Sequence, residues 1–274
     1  MRVYSLFVYL FLYTPIALVV LFSFNSGHQA SSFVGFSFEW YGKAANNRFV
    51  IEALTRSLII ATASATIATL FGTMAALALQ RVKGAVRVLF DALIYIAIMV
   101  PGIVIGIATL IALVISFDAV NGVLDAVWPG ETAPSLNFGY GSIIAAHSLF
   151  NMALVVVILR ARFAGMDRTL IEAAQDLYAT PWGTFRQVTL PLIFPAVAAG
   201  FLLSFTFSFD DYVIASFVAG SKSTLPIYVF SSIRRGVTPE INAIGSVVLA
   251  VSLTLLLGSQ FLLRRGRRQP APRA

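Results

Sequence analysis

Cysteine is absent from this 274-residue chain, which excludes disulfides and thiolate metal sites. Histidine occurs twice, as His28 and His147, and the two match no metal-ligand spacing. Charge is scarce: 11% of residues are Asp, Glu, Lys or Arg, against roughly a quarter in soluble domains. So few polar side chains cannot cover a water-soluble globule of this size. A phosphate-binding loop of the form G-x-x-x-x-G-K-[ST] is missing too, because Gly220-Ser-Lys222-Ser-Thr lacks the spacing. ATP hydrolysis is therefore not expected of the chain, and no nucleophile–base pair or metal constellation marks a catalytic residue.

What is abundant is apolar side chain, 58% of the sequence, gathered into long runs. About 20 apolar residues cross a hydrocarbon core of roughly 30 Å as a helix. Six runs qualify: Val3–Phe24, Leu58–Leu79, Ala92–Phe117, Phe138–Leu159, Leu192–Ala219 and Ala243–Leu263. The expectation is an all-α membrane protein with six transmembrane helices, forming a single membrane domain over residues 1–274. The first run follows Met1-Arg2 as a signal peptide would. Its length, Pro15 and the lack of an A-x-A-like site favour a retained first helix.

The 19 basic residues set the orientation. With the N-terminus inside, the inside segments carry Arg2, Arg81, Lys83, Arg87, Arg160, Arg162, Arg168, Arg186, Arg264, Arg265, Arg267, Arg268 and Arg273. The outside segments carry Lys43, Arg48, Arg56, Lys222, Arg234 and Arg235. The inside set is more than twice the outside set, so both termini are expected in the cytoplasm. The net charge of +7 then reads as a topology signal rather than a nucleic-acid arm. Outside, Asn25–Ser57 reads as a long polar loop, with Trp40 and Tyr41 at the membrane interface.

The inside loop over 160–191 is long and patterned. Thr169 and Glu172 have capping-box spacing, and Thr180-Pro181 reads as an N-cap with proline at the first helical position. Pro191 and Pro195 are expected to break the chain before the fifth span. The result is a helix–turn–helix knob with Ala173 and Ala174 as a smooth face. On periodicity alone, an amphipathic pair lying on the membrane remains open.

The run Glu172-Ala173-Ala174, then position 178, then Val188, Leu190 and Pro191, resembles the EAA loop of ATP-binding-cassette importer permeases in its full spacing. Ala146-His147-Ser148, the stretch from Leu190 to Phe205, Ser208 to Gly220, and Gly236 to Ala243 are similar to the spermidine/putrescine branch, C-type subunit. The resemblance implies a type I importer permease (MetI-like) fold and a polyamine-importing function by alternating access in the bacterial inner membrane. It implies as partners a second homologous permease, an ATPase dimer that supplies ATP and Mg, and a periplasmic substrate-binding protein, besides membrane lipid. Glu172, Ala173, Ala174, Tyr178, Leu190 and Pro191 would then contact the ATPase. Two residues depart from the pattern, Val188 for isoleucine and Tyr178 for glycine. Tyr178 leaves the turn geometry in question, because glycine there permits positive φ.

The fifth run carries Asp210 and Asp211. Carboxylates within a span cost about 2.5–3.5 kcal/mol to insert and usually face a cavity or partner. Consecutive helical residues diverge by about 100°, so one aspartate could line a pathway while the other meets a neighbour. With Tyr212, Phe209 and Phe205 they would suit a cationic amine. Alternatively the helix ends early and both aspartates are solvated. His147 reads as a hydrogen-bonded structural residue, and Asp91 as an interfacial helix-start carboxylate. Pro101, Gly102 and Gly106 are expected to kink the third helix. Competing readings keep the machine with another small organic cargo, or make the chain an ion-gradient-driven transporter or a membrane scaffold.

Overall fold

The computed structural model describes residues 2–28, 32–130, 132–167 and 169–267, with side chains from residue 4 to residue 261. Arg168, Arg268 and Arg273 lie outside the described residues, as do the side chains of Arg2, Arg264, Arg265 and Arg267. The helices are α1 (Arg2–Phe22), α2 (Glu39–Asn46), α3 (Arg48–Leu79), α4 (Gly84–Met99), α5 (Gly102–Val127) and α6 (Tyr140–Ala164). They continue as α7 (Thr169–Asp176), α8 (Pro181–Thr184), a π-helical turn (Phe185–Thr189), α9 (Leu190–Asp210), α10 (Val213–Val218), α11 (Leu225–Arg235) and α12 (Pro239–Arg267). Among the described residues six helices are long and apolar enough to cross a membrane.

The chain divides into two compact units, residues 1–57 with 223–254, and residues 58–222 with 255–274. In the first unit the expected outer loop is mostly helical. The second membrane helix starts at Arg48, ten residues before the apolar run, because Arg48, Glu52 and Arg56 pair at i,i+4 along one face (2.8 and 3.1 Å). Trp40 is buried rather than interfacial, edge-on to His28 and under the Lys43 ammonium. Tyr41 shares a 2.7 Å hydrogen bond with Ser23 Oγ. Asn47 Nδ2 donates to Glu240 at 2.9 Å and so ties the start of α3 to α12. Within this chain α1 lies bare: no residue of Tyr4–Phe22 is buried.

In the second unit α6 and α9 supply most of the core, through Ala153, Val155, Val156, Leu159, Ile193 and Ala196. Small residues set the helix spacing. A Cβ on Gly72 would sit 2.8 Å from that of Val155, and one on Gly106 2.6 Å from the Phe217 ring. The third apolar run is not one kinked helix but two helices. Val100 is extended (ψ 132°), as a residue before proline prefers, and α5 begins anew at Gly102. Asp91 then falls inside α4 rather than at a helix start. It pairs with Arg160 of α6 at 2.6 Å, with Arg87 3.9 Å away.

The expected proline break is absent too. Pro191 sits in the first turn of α9 and Pro195 inside it. The wide turn ahead of them, in which the Leu190 N–H reaches the Phe185 carbonyl, carries the helix on from α8. Helical backbone therefore runs from Pro181 to Asp210, 30 residues.

Candidate functional site

Two places in the second unit concentrate unusual chemistry, one at each end of α9. At its start, α7, α8 and the π turn form the expected helix–turn–helix. Asp167 caps α7, its Oδ1 accepting the Thr169 N–H (2.9 Å) and hydroxyl (2.8 Å). Thr169 is thus the first helical residue and donates to Asp167, so it does not form the expected capping box with Glu172. These two donors hold the Asp167 carboxyl below its usual range. Thr180 Oγ1 accepts the Gly183 N–H at 3.1 Å, so the expected N-cap of α8 is present.

Tyr178 adopts φ +59°, the left-handed conformation in which its position favours glycine. The Ala179 N–H bonds to the Ala174 carbonyl (3.0 Å) and the Tyr178 N–H to Gln175 (2.9 Å). This crossed pair closes α7 in a Schellman motif. The tyrosine therefore keeps the glycine turn and adds a ring, 95% exposed, between bare Leu177 and Trp182. Glu172 and Ala173 are exposed, Ala174 and Leu190 half-buried, and Pro191 exposed. Leu177 and Trp182 were not foreseen as part of the site, although an exposed apolar pair in a polar loop is a readable signal. The ends of α3, α4 and α6 share this end of the unit. Gln80, Arg87, Arg160 and Phe163 line a cavity of about 220 Å³, and Arg81, Ile171, Gln175 and Thr184 help line one of about 400 Å³.

At the far end α9 stops at Asp210, as the early-ending alternative requires, and Asp211 is extended (ψ 121°). The two carboxylates have different surroundings. Asp210 is exposed. The Asp211 side chain is 21% exposed, and its Oδ2 accepts the Ala215 N–H at 2.8 Å. His147 Nε2 lies 3.2 Å from the same oxygen, with its N–H direction off the straight line. Oδ1 has no protein partner among the described residues. Tyr212 is half-buried and caps α10 through its carbonyl. Phe209 is buried and stacks on Phe205, ring centroids 5.9 Å apart, which makes it a packing residue rather than a lining one.

Behind Asp211 runs a buried polar chain that the sequence reading missed. His147 Nδ1 lies 2.7 Å from Ser208 Oγ, which accepts from Ser64 Oγ at 2.8 Å. Ser204, Ser208 and Asp211 follow at helical i,i+4,i+7 spacing, a legible signal; Ser64 in its uncharged run gave none. Serine, histidine and aspartate in a row suggest a hydrolase, but Ser208 is buried among helices and already spoken for by Ser64, so it reaches no substrate. Among the described residues no three His, Asp or Glu side chains gather as a metal site.

Residues 68–268 match the family model of binding-protein-dependent transport system inner membrane components. The chain belongs to that family. This inner-membrane component is 35% identical over 258 residues to the spermidine/putrescine transport system permease protein PotC of Escherichia coli K12, covering 94% of this chain and 91% of that one. It is 37% identical over 263 residues to the putrescine transport system permease protein PotI of the same organism, covering 94% and 89%. Among solved structures it is similar to a bacterial ABC transporter involved in importing the acidic polysaccharide alginate. That match has a TM-score of 0.72 at 17% identity, over 99% of this chain and 95% of that one. An amino acid ABC transporter matches with a TM-score of 0.56 at 19% identity, over 86% and 100%. The component is thus a multi-pass inner-membrane protein with the type I importer permease (MetI-like) fold.

Proposed function

We propose that this component is a permease subunit of an ATP-binding-cassette importer that carries polyamine across the bacterial inner membrane by alternating access. The chain itself is non-catalytic. Its partners are a second homologous permease, an ATPase dimer that binds ATP and Mg, and a periplasmic binding protein that delivers cargo. Both termini are cytoplasmic, so the knob end, where Arg81, Arg87 and Arg160 gather, faces the ATPases. Glu172, Ala173, Ala174, Tyr178, Leu190 and Pro191, joined by Leu177 and Trp182, make up the docking surface.

The observation that carries the cargo assignment is the half-anchored carboxylate of Asp211. One oxygen is held by the Ala215 N–H with the His147 imidazole 3.2 Å away, and the other has no protein partner among the described residues. An ammonium group supplies the missing donors and the opposite charge at once. Labelled putrescine and spermidine uptake in vesicles holding the assembled importer tests this reading. Asp211→Asn is expected to raise KM at least tenfold, and Asp210→Asn less. Unaltered uptake in Asp211→Asn refutes the cargo assignment. Uptake that persists without the ATPase refutes the importer. The absence of cysteine lets single introduced cysteines at 177 or 182 serve as crosslinking probes of ATPase docking.

A further inference from the structure

The buried chain behind Asp211 fixes more than packing. The Ser64 hydroxyl has two acceptors in reach, Ser208 Oγ at 2.8 Å and the Ala61 carbonyl at 3.3 Å, and the shorter contact takes its single hydrogen. The Ser208 hydrogen is thereby left for His147 Nδ1, 2.7 Å away, and Nδ1 is the acceptor. A neutral imidazole that accepts at Nδ1 carries its proton at Nε2, and Nε2 faces Asp211 Oδ2 at 3.2 Å. The two serines thus select the tautomer that presents an N–H, not a lone pair, to the carboxylate. His147 and Ser208 are buried and Ser64 is fully so, which shields the chain from competing water.

We infer that His147 is a positioning residue for cargo recognition. Held by Ser208 and Ser64, it presents Nε2 to the oxygen that the Ala215 N–H already holds, which leaves Oδ1 for the cation. The N–H is not yet aligned on Oδ2, and a cation drawing on Oδ1 turns the carboxylate so that the bond forms. The proposal rests on the reading of Asp211 as the cargo carboxylate. It goes further by naming the atom that must donate.

The test separates the donor position from bulk. A glutamine side chain places an amide N–H near the imidazole Nε2 position; asparagine places one near Nδ1; leucine places none. In the assembled importer, His147→Leu and His147→Asn are expected to raise polyamine KM roughly tenfold with Vmax near the parent value, as loss of a hydrogen bond to a charged group requires. His147→Gln is expected to return KM to within about threefold of the parent. Ser208→Ala, which takes the donor from His147 Nδ1 and leaves the Ser64 hydroxyl only its Ala61 carbonyl, is expected to raise KM by about threefold to fivefold. In an Asp211→Asn background, His147→Leu is expected to add nothing further. Three results overturn the inference: an unchanged KM in His147→Leu, an equal Vmax loss in the glutamine and leucine variants, or a His147→Leu effect that persists in full on Asp211→Asn. The first of these with Asp211→Asn still impaired leaves the cargo reading standing. A silent Asp211→Asn beside an impaired His147→Leu removes both.

Discussion

The tyrosine at the end of α7 offers a quantitative check on how this chain keeps the turn of its family. An L-residue in the left-handed region costs roughly 1–2 kcal/mol, and glycine avoids this at an unfolded-chain entropy cost of about 0.5–1 kcal/mol. Tyr178→Gly should therefore stabilise the α7–α8 turn by about 0.5–1 kcal/mol net. The ring, being 95% exposed, contributes no burial to set against that. The amide of Ala179, bonded to the Ala174 carbonyl, reports the turn directly. Its hydrogen exchange in the intact importer should slow about twofold to fivefold in Tyr178→Gly. Tyr178→Val, β-branched and more crowded at positive φ, should speed it by a similar factor, with Tyr178→Asn close to the parent. Transport should move the opposite way. Tyr178→Gly removes the exposed ring from the proposed docking surface and should lower ATP-driven uptake, which Tyr178→Phe preserves. Faster exchange in Tyr178→Gly, or no difference between glycine and valine, refutes the left-handed turn.

Other outcomes follow from the same geometry. Gly220 has φ +56°, and an added Cβ would meet the Phe138 Cβ at 2.8 Å and its carbonyl oxygen at 2.9 Å. Gly220→Ala should destabilise the second unit by about 2–4 kcal/mol, read as a lower Tm of the detergent-solubilised importer. Asp91→Asn leaves the half-buried Arg160 guanidinium without its 2.6 Å carboxylate and should cost about 1–2 kcal/mol in the same measurement. An unchanged Tm would place that pair among the ion pairs that contribute nothing. The Asp167 carboxyl sits below its ordinary range because it accepts from Thr169. Its contribution to α7 is thus fully present above the unfolded carboxylate range near 3.9 and is lost only as pH falls through the lower folded value. Exchange protection of the α7 amides, corrected for intrinsic rate, should be flat from pH 5 to 8 in the parent, and Asp167→Ala should lower it throughout.

Much of this architecture could be read from side-chain type alone. Six apolar runs mark the six membrane helices, and Thr180-Pro181 marks the start of α8. The breaks were harder to read, because hydropathy does not register backbone direction. Val100-Pro101 lies inside a continuous apolar run, so only the steric preference of a pre-proline residue could have split it. Pro191 and Pro195 carried the opposite error: Pro191 follows a π turn in the first turn of α9, where its missing donor costs little, and the helix runs on through Pro195. The early start of α3 was hidden because Arg48, Glu52 and Arg56 look like loop until paired along one face. In the site, Asp210 and Asp211 stand out in sequence. What tells them apart is His147, 64 positions before Asp211 and brought to it by the packing of α6 on α9.

The continuous helical backbone from Pro181 to Asp210 puts the α7–α8 turn and the Asp211 carboxylate at two ends of one stretch about 45 Å long. Rocking such an arm by about 10° about its middle swings each tip by roughly 4 Å, in opposite senses. A displacement of α8 is thus carried along continuous helix toward Asp211, with the π turn and Pro195 as the two points where it can bend. The wide turn at Phe185–Thr189 joins α8 to α9 without a break, so the two ends of the stretch move as parts of one element.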